Sequence, residues 1–385
     1  EHCEACRREL GEIAGQIKER RQIHELPEMR LRVIEHRVEA ICCPACQHVT
    51  AAHFPVGVDA PTQYGPQMQA LAVYLSQFQL LPMERIQELC GDLLGCQLSE
   101  GTLANWIQDA ARTLGPTMLL LKQLLLRSRV DHVDETGARI KGVLHWFHVN
   151  ATKWLTLYSW HRKRGQEAME EIGILPRYTG RAIHDRWSSY DGYGCEHSVC
   201  GAHLVRDCVL VAEQDQQPWA QAMVELLVRM CQVAEQWRAK GATAVPKAER
   251  DGLVLQYFSL LQQGFAAHRM LAPPQTALLP KKRGRPKQDE AKNLLDALLK
   301  RAEQVLAFLD DVSVPFTNNQ AERDLRMIKV QQKISGTFRS SQGATAFCII
   351  RSYLSTMRKQ GRSLLAAMAA VFHGSPFPIA WEPGT

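Results

Sequence analysis

A run of about 18 or more apolar residues is missing from the chain, so no membrane-spanning helix is expected. Also missing is the basic-then-apolar N-terminal pattern of a secretory signal peptide. Internal repeats and low-complexity tracts are absent as well, which points toward packed globular domains. The first residue is Glu1 rather than methionine, so further sequence is expected upstream. What remains is 385 residues, 45% hydrophobic and 22% charged, with length for two or three domains. A net charge of +6 points modestly to a polyanionic partner.

Of the 12 cysteines, Cys90, Cys96, Cys195, Cys200, Cys208, Cys231 and Cys348 are scattered. A chain this long needs no disulfides, and the scatter fits a reducing cytoplasm. The N-terminal group is different. "CEAC" and "CPAC" place Cys3, Cys6, Cys43 and Cys46 in two Cys-x-x-Cys pairs, the usual way to set four thiolates around a structural Zn²⁺. Cys42 is an alternative to Cys43, though the spacing favours Cys43. The absence of a surrounding βαβ pattern argues against a redox motif.

Residues 62–112 carry helix-period apolar positions. A short helix ends near Gly95, and Ser99 is placed to cap the next, with Leu103, Trp106 and Ile107 on one face. The order fits a helix-turn-helix DNA reader or a plain helical hairpin. Between 129 and 200 the pattern turns to strands: "RVDHVDET", "GVLHWFHVN", "KWLTLYSW" and the start of "GRAIHDRWSSY", with a helix at "EAMEEIGIL". Strands mixed with a helix suggest an α/β layer. Helical patterns occupy about 203–275, "AKNLLDALLKRAEQVLAFL", about 320–333 and about 343–372.

Three acids stand at the ends of these elements. Asp134 closes the first strand, Asp185 closes a later one, and Glu322 opens a helix in "NNQAERDLRM". Carboxylates gathered in the crevice of an α/β sheet repel one another unless hard cations join them, and oxygen ligands suit Mg²⁺ or Mn²⁺. Two such ions perform phosphoryl transfer. Each acid also has a plainer reading. Glu322 fits a capping box with Asn319 as N-cap, Asp134 a hairpin turn before Thr136-Gly137, and Asp185 a cap on the segment after it.

Charge around Glu322 favours the metal reading. On a helix, Glu322, Arg326, Lys329 and Lys333 share a face, an acid heading a basic stripe, with Arg323 beside it. That arrangement suits a metal site next to a phosphate backbone. "KKRGRPK" adds Arg283, Arg285 and Lys287 in the form of an AT-hook for the minor groove, or of a solvated basic linker.

"DETGARI", "HDRWSSYDGY", "CGAHLVRD" and "VPFTNNQAERDLRMIKVQQKISGTFRS" together resemble the transposases of the insertion sequence 66 family. The "CEAC…CPAC" head and "ERIQELCGDLLGCQLSEGTLANW" resemble that family's zinc-finger and following helical regions. The resemblance implies an α/β ribonuclease H-like catalytic core with a large helical insertion, preceded by a small zinc-binding domain and a helix-turn-helix-like helical domain. Expected bounds are 1–50, 60–125 and 126–372, with the insertion at about 203–310 and a tail at 373–385. It implies a DDE triad at Asp134, Asp185 and Glu322, and a Cys-x-x-His element at Cys200 and His203 whose expected role is a buried structural pair. The implied partners are double-stranded DNA (terminal inverted repeats and target), a second copy of the chain and companion proteins of the element, in a prokaryotic nucleoid. A non-catalytic DNA-binding remnant acting as a repressor, and a nuclease that joins no strands, are the competing readings.

Overall fold

The computed structural model describes residues 2–11, 14, 16–271 and 288–381. They belong to two units, 1–59 with 87–97 and 60–86 with 98–385. In the first unit β1 (Ala40–Cys42) and β2 (Val49–Ala51) form an antiparallel hairpin. Residues 16–39 carry neither helix nor strand.

Three helices precede the main sheet: α1 (Pro66–Gln77), α2 (Met83–Leu94) and α3 (Glu100–Leu126). α2 ends where Gly95 takes a left-handed conformation, φ +64°, which glycine adopts without a Cβ penalty. Ser99 caps α3 as expected, its hydroxyl accepting the Thr102 N–H at 3.0 Å. Leu103, Trp106 and Ile107 are buried on one face of α3.

The sheet holds β3 (Val130–Ile140), β4 (Val143–Ala151), β5 (Thr156–His161), β6 (Arg181–His184) and β7 (Glu196–Val199) in the order β5-β4-β3-β6-β7. The first three are antiparallel neighbours, and β6 and β7 join parallel to β3. β3 does not end at Asp134. It continues through Thr136 and Gly137 and reverses at Lys141-Gly142, whose φ angles of +52° and +79° suit a two-residue hairpin turn. Asp134 is therefore a mid-strand residue, paired with Val149, and not a hairpin-turn acid. α4 (Gln166–Ile172) lies between β5 and β6.

After β7 come α5 (Gly201–Gln214), α6 (Pro218–Ala239), α7 (Lys247–Leu271), α8 (Glu290–Lys300) and α9 (Ala302–Asp310). They share one core, in which Leu204, Met223, Leu227, Tyr257, Leu295 and Leu309 pack with Ile183 and Val199 of the sheet. Arg283, Arg285 and Lys287 lie outside the described residues. The chain returns as α10 (Asn319–Ser335), α11 (Ser341–Lys359) and α12 (Leu364–Phe372). The helical pattern over about 343–372 is two helices, separated where Gly361 takes φ +67° and Ser363 starts a new cap.

α10 and α11 cover one face of the sheet. Ala321, Leu325 and Ile328 pack with Ala138, Ile140, Phe147 and Val149. Full burial of a side chain such as Ile328 contributes on the order of 1.5–3 kcal/mol, so this seam holds the head of α10 against β3. Val133, facing the opposite way, packs with Met169, Tyr178 and Tyr190. α1 lies against α12 and α3 against α11, so the helices before the sheet and those after it pack together.

Candidate active site

The three expected acids come from three elements. Asp134 projects from the middle of β3, Asp185 directly follows β6, and Glu322 lies in the first turn of α10. Asp134 feels the charges around it. Burial, then the neighbouring carboxylates of Glu135, Asp185 and Glu322, push the Asp134 carboxyl up to about 7, against the pull of the Glu135 N–H. A set of acids that raises its own member in this way fits a divalent cation, which would replace the missing counter-charge. The ligand atoms of the three acids do not all lie within 4.8 Å of one another.

Asp185 also caps the turn after β6, accepting the Trp187 N–H at 2.9 Å. Arg186 between them takes φ +75°, which turns the chain sharply out of β6. The recess beside Asp185 is lined by Arg164, Arg186, Trp187 and Arg301. Each guanidinium has a carboxylate partner: Arg164 with Glu135 at 2.7 Å, Arg301 with Asp191 at 2.6 Å, and Arg186 with Asp207.

The capping box expected at Glu322 does not form. The N-cap is Asn318, not Asn319, and its side chain makes no capping bond. Asn318, 1% exposed, reaches instead into β3. Its Nδ2 donates to the Val133 carbonyl at 2.9 Å, and its Oδ1 lies 3.0 Å from His132 Nδ1. Burial pushes the His132 imidazole down to about 4, so it is neutral near pH 7 and its Nδ1–H is the donor.

Cys200 links the other two acids. Its N–H donates to the carbonyl of His184, which precedes Asp185, at 2.9 Å. Its Sγ accepts the Asn318 N–H at 3.1 Å. The next residue, Gly201, donates to Phe316 O at 2.8 Å, and a Cβ there would meet the Phe316 ring at 2.2 Å. Only glycine permits that approach, which fixes the start of α5 against the start of α10. The two residues of the buried structural pair expected at Cys200 and His203 differ in burial. Cys200 is buried, but His203 is only partly so, and both adjoin Glu322.

A second network has no signal in the sequence. Glu135, beside Asp134 but on the opposite face of β3, accepts from Arg164 Nε at 2.8 Å and from the Tyr190 hydroxyl. The Arg164 guanidinium stacks on Trp187 at 4.1 Å and Trp146 at 4.9 Å. On α10, Arg323, Arg326, Lys329 and Lys333 follow Glu322, and Lys329 Nζ donates to Gly137 O at 2.5 Å.

In the first unit, the two Cys-x-x-Cys turns are built alike. Cys3 N–H donates to Arg8 O and Arg7 N–H to Cys3 O, both at 2.8 Å. Cys43 N–H donates to His48 O at 2.9 Å and Gln47 N–H to Cys43 O at 2.8 Å. Arg7 and Gln47 share φ +58°. Backbone N–H groups of Cys6 and Ala5, and of Cys46 and Ala45, hold the Cys3 and Cys43 thiols below their usual range. Thiols lowered by amides are thiolates in waiting, which fits a zinc donor set. Cys42 lies in β1 instead, its Sγ 3.5 Å from Gln47 O. Among the described residues the two pairs are not gathered within 4.8 Å into one ligand set.

No curated protein sequence matches the chain. A family model does: that described as Transposase IS66 family matches residues 61–346, a span that contains all three acids, Cys200 and His203. Asp134, Asp185 and Glu322 therefore sit inside the matched region on neighbouring elements, and the chain belongs to the IS66 family of transposases.

Proposed function

We propose that the chain is an active DNA transposase that cuts DNA at the ends of an insertion sequence and transfers the freed 3′-hydroxyl into target DNA. The observation that supports this reading is the placement of Asp134 on β3, Asp185 just after the adjacent strand β6, and Glu322 in the first turn of α10, which packs on β3. The five-stranded mixed sheet with helices on both faces is compatible with a ribonuclease H-like core.

Asp134, Asp185 and Glu322 would hold one or two Mg²⁺ or Mn²⁺ ions. When bound, such ions activate the attacking oxygen and stabilise the leaving one. Arg323, Arg326 and Lys333 lie along α10 and position phosphates, while Lys329 steadies α10 on β3 through Gly137. Arg283, Arg285 and Lys287 add backbone or minor-groove contacts. Asn318 and Cys200 hold the strand before Asp134, the strand before Asp185 and the helix of Glu322 in register. Cys3, Cys6, Cys43 and Cys46 carry a structural Zn²⁺, and that region with 84–112 reads the terminal repeats of double-stranded DNA. Acting on two ends calls for at least a dimer.

The test is cleavage of a plasmid carrying the element's terminal repeats, with Mg²⁺ or Mn²⁺, by the parent chain and Glu322→Gln. Cutting by the parent and binding without cutting by the variant support the reading. Equal cutting by both removes Glu322 from the metal set. Binding by both with cutting by neither makes the chain a DNA-binding remnant.

A further inference from the structure

Cys200, His203 and Glu322 have a geometry that the triad does not explain. Each offers one ligand atom, and the three atoms lie within 4.8 Å of one another, the only such group among the described residues. Cys200 Sγ and His203 Nδ1 are each 3.8 Å from the same oxygen, Glu322 Oε1. For the His203 nitrogen that is too long for a hydrogen bond. His203 Nδ1 is buried and has no hydrogen-bond partner among the described residues. A buried ring nitrogen without a partner is a costly feature, and a bound cation would remove the cost.

We propose that Cys200, His203 and Glu322 form a second metal site, of borderline-soft character, that takes Zn²⁺ and shares Glu322 with the catalytic set. The distances fit a tetrahedral ion. Zinc bond lengths set ligand edges of about 3.6 Å for S···O and about 3.4 Å for N···O, a few tenths shorter than observed. The donor set is one thiolate, one imidazole and one carboxylate, which selects zinc over magnesium. The side chains of His203 and Glu322 are partly exposed, 29% and 31%, so solvent would supply the fourth ligand. The Asn318 N–H on Cys200 Sγ supplies the supporting hydrogen bond that metal thiolates use. Cys200 and His203 are set three apart at the start of α5, which Gly201 and Phe316 lock against the head of α10.

The consequence rests on the proposed role of Glu322 in cleavage. Zinc held there occupies Oε1 and withdraws Glu322 from the Mg²⁺ ligands, so zinc inhibits the reaction that magnesium supports. Metal binding itself does not depend on that role, which lets the two ideas fail separately.

The experiment is a Co²⁺ titration of the full-length, reduced, metal-free chain, read by thiolate-to-metal charge-transfer absorption and by bound metal per chain. The parent is compared with Cys200→Ser, and both are repeated in a Cys3→Ser/Cys43→Ser background. One Co²⁺ fewer per chain in Cys200→Ser, in both backgrounds, is the expected result. Equal metal content and an unchanged spectrum in parent and variant overturn the site, whatever the cleavage assay shows. If circular dichroism shows that Cys200→Ser does not fold, His203→Gln replaces it. Loss of the same equivalent then supports the site and its retention overturns it.

Discussion

Asn318→Ala is the most informative single change, because one side chain joins two of the acids' supporting elements. The substitution deletes both buried bonds, 2.9 Å to Val133 O and 3.0 Å to His132 Nδ1. Each partner is then left unsatisfied, since the site is 1% exposed and His132 itself is 6% exposed. An unpaired buried group costs roughly 1–3 kcal/mol, so the two together should cost about 2–6 kcal/mol, and the cavity adds to that. The head of α10 also loses its tether to the strand of Asp134. A shift on the order of 1 Å in a catalytic group costs about 10²-fold in rate. Urea unfolding followed by tryptophan fluorescence gives the first number, and plasmid cleavage with parallel DNA-binding measurements gives the second. Stability within about 0.5 kcal/mol of the parent would refute the account, because a change that small marks an ordinary surface position. Asn318→Asp is a useful companion. It keeps an acceptor for His132 but sets a carboxylate oxygen against Val133 O, so it should be no better than alanine.

Cys6→Ser and Cys46→Ser should each abolish zinc binding in the first unit and weaken recognition of the terminal repeats, while far-UV circular dichroism of the sheet and helices stays near that of the parent; zinc content by mass spectrometry is the check. Arg326→Ala and Lys333→Ala, both on α10, should each weaken DNA binding uniformly across sequences and reduce the salt slope by about 1, measured from binding isotherms at several salt concentrations. His148 is 5% exposed, and burial lowers its imidazole to about 4. A depressed group contributes stability that is present above the unfolded value near 6.5 and lost as pH falls toward 4. The loss from His148 should be on the order of 3 kcal/mol over that window, and His148→Gln should reduce the fall of the unfolding midpoint between pH 7 and 4, with the part due to buried His132 remaining.

The candidate acids are legible in the sequence; the way they are held is not. Thr136-Gly137 looks like punctuation and so suggests that a strand ends at Asp134. Gly137 is instead a close-approach glycine, where an added Cβ would meet Leu144 Cδ1 at 3.0 Å. The true turn, Lys141-Gly142, lies a few residues further on. Asp185 and Glu322 do stand at the element ends that the sequence suggests, since a short strand before a turn and a helix start are local events. The capping box is misleading because Asn318 commits its side chain to residues 185 and 186 positions away, and no local pattern reports that. Cys200 and His203 are visible as a spacing, but their common neighbour Glu322 is 122 positions from Cys200. The break before α12 has its signal in Gly361 and Ser363, within the polar run Arg358–Ser363.

The helices α5 to α9 separate Asp185 from Glu322 by 137 positions, and this imposes an order on biosynthesis. At about 5–20 residues per second, a ribosome needs roughly 7–30 s to travel from the second acid to the third. During that interval the nascent chain displays Asp134 and Asp185 without Glu322, and Asn318 has not arrived to close β3. On the proposed triad reading, cleavage of DNA has to wait until the last part of the chain docks.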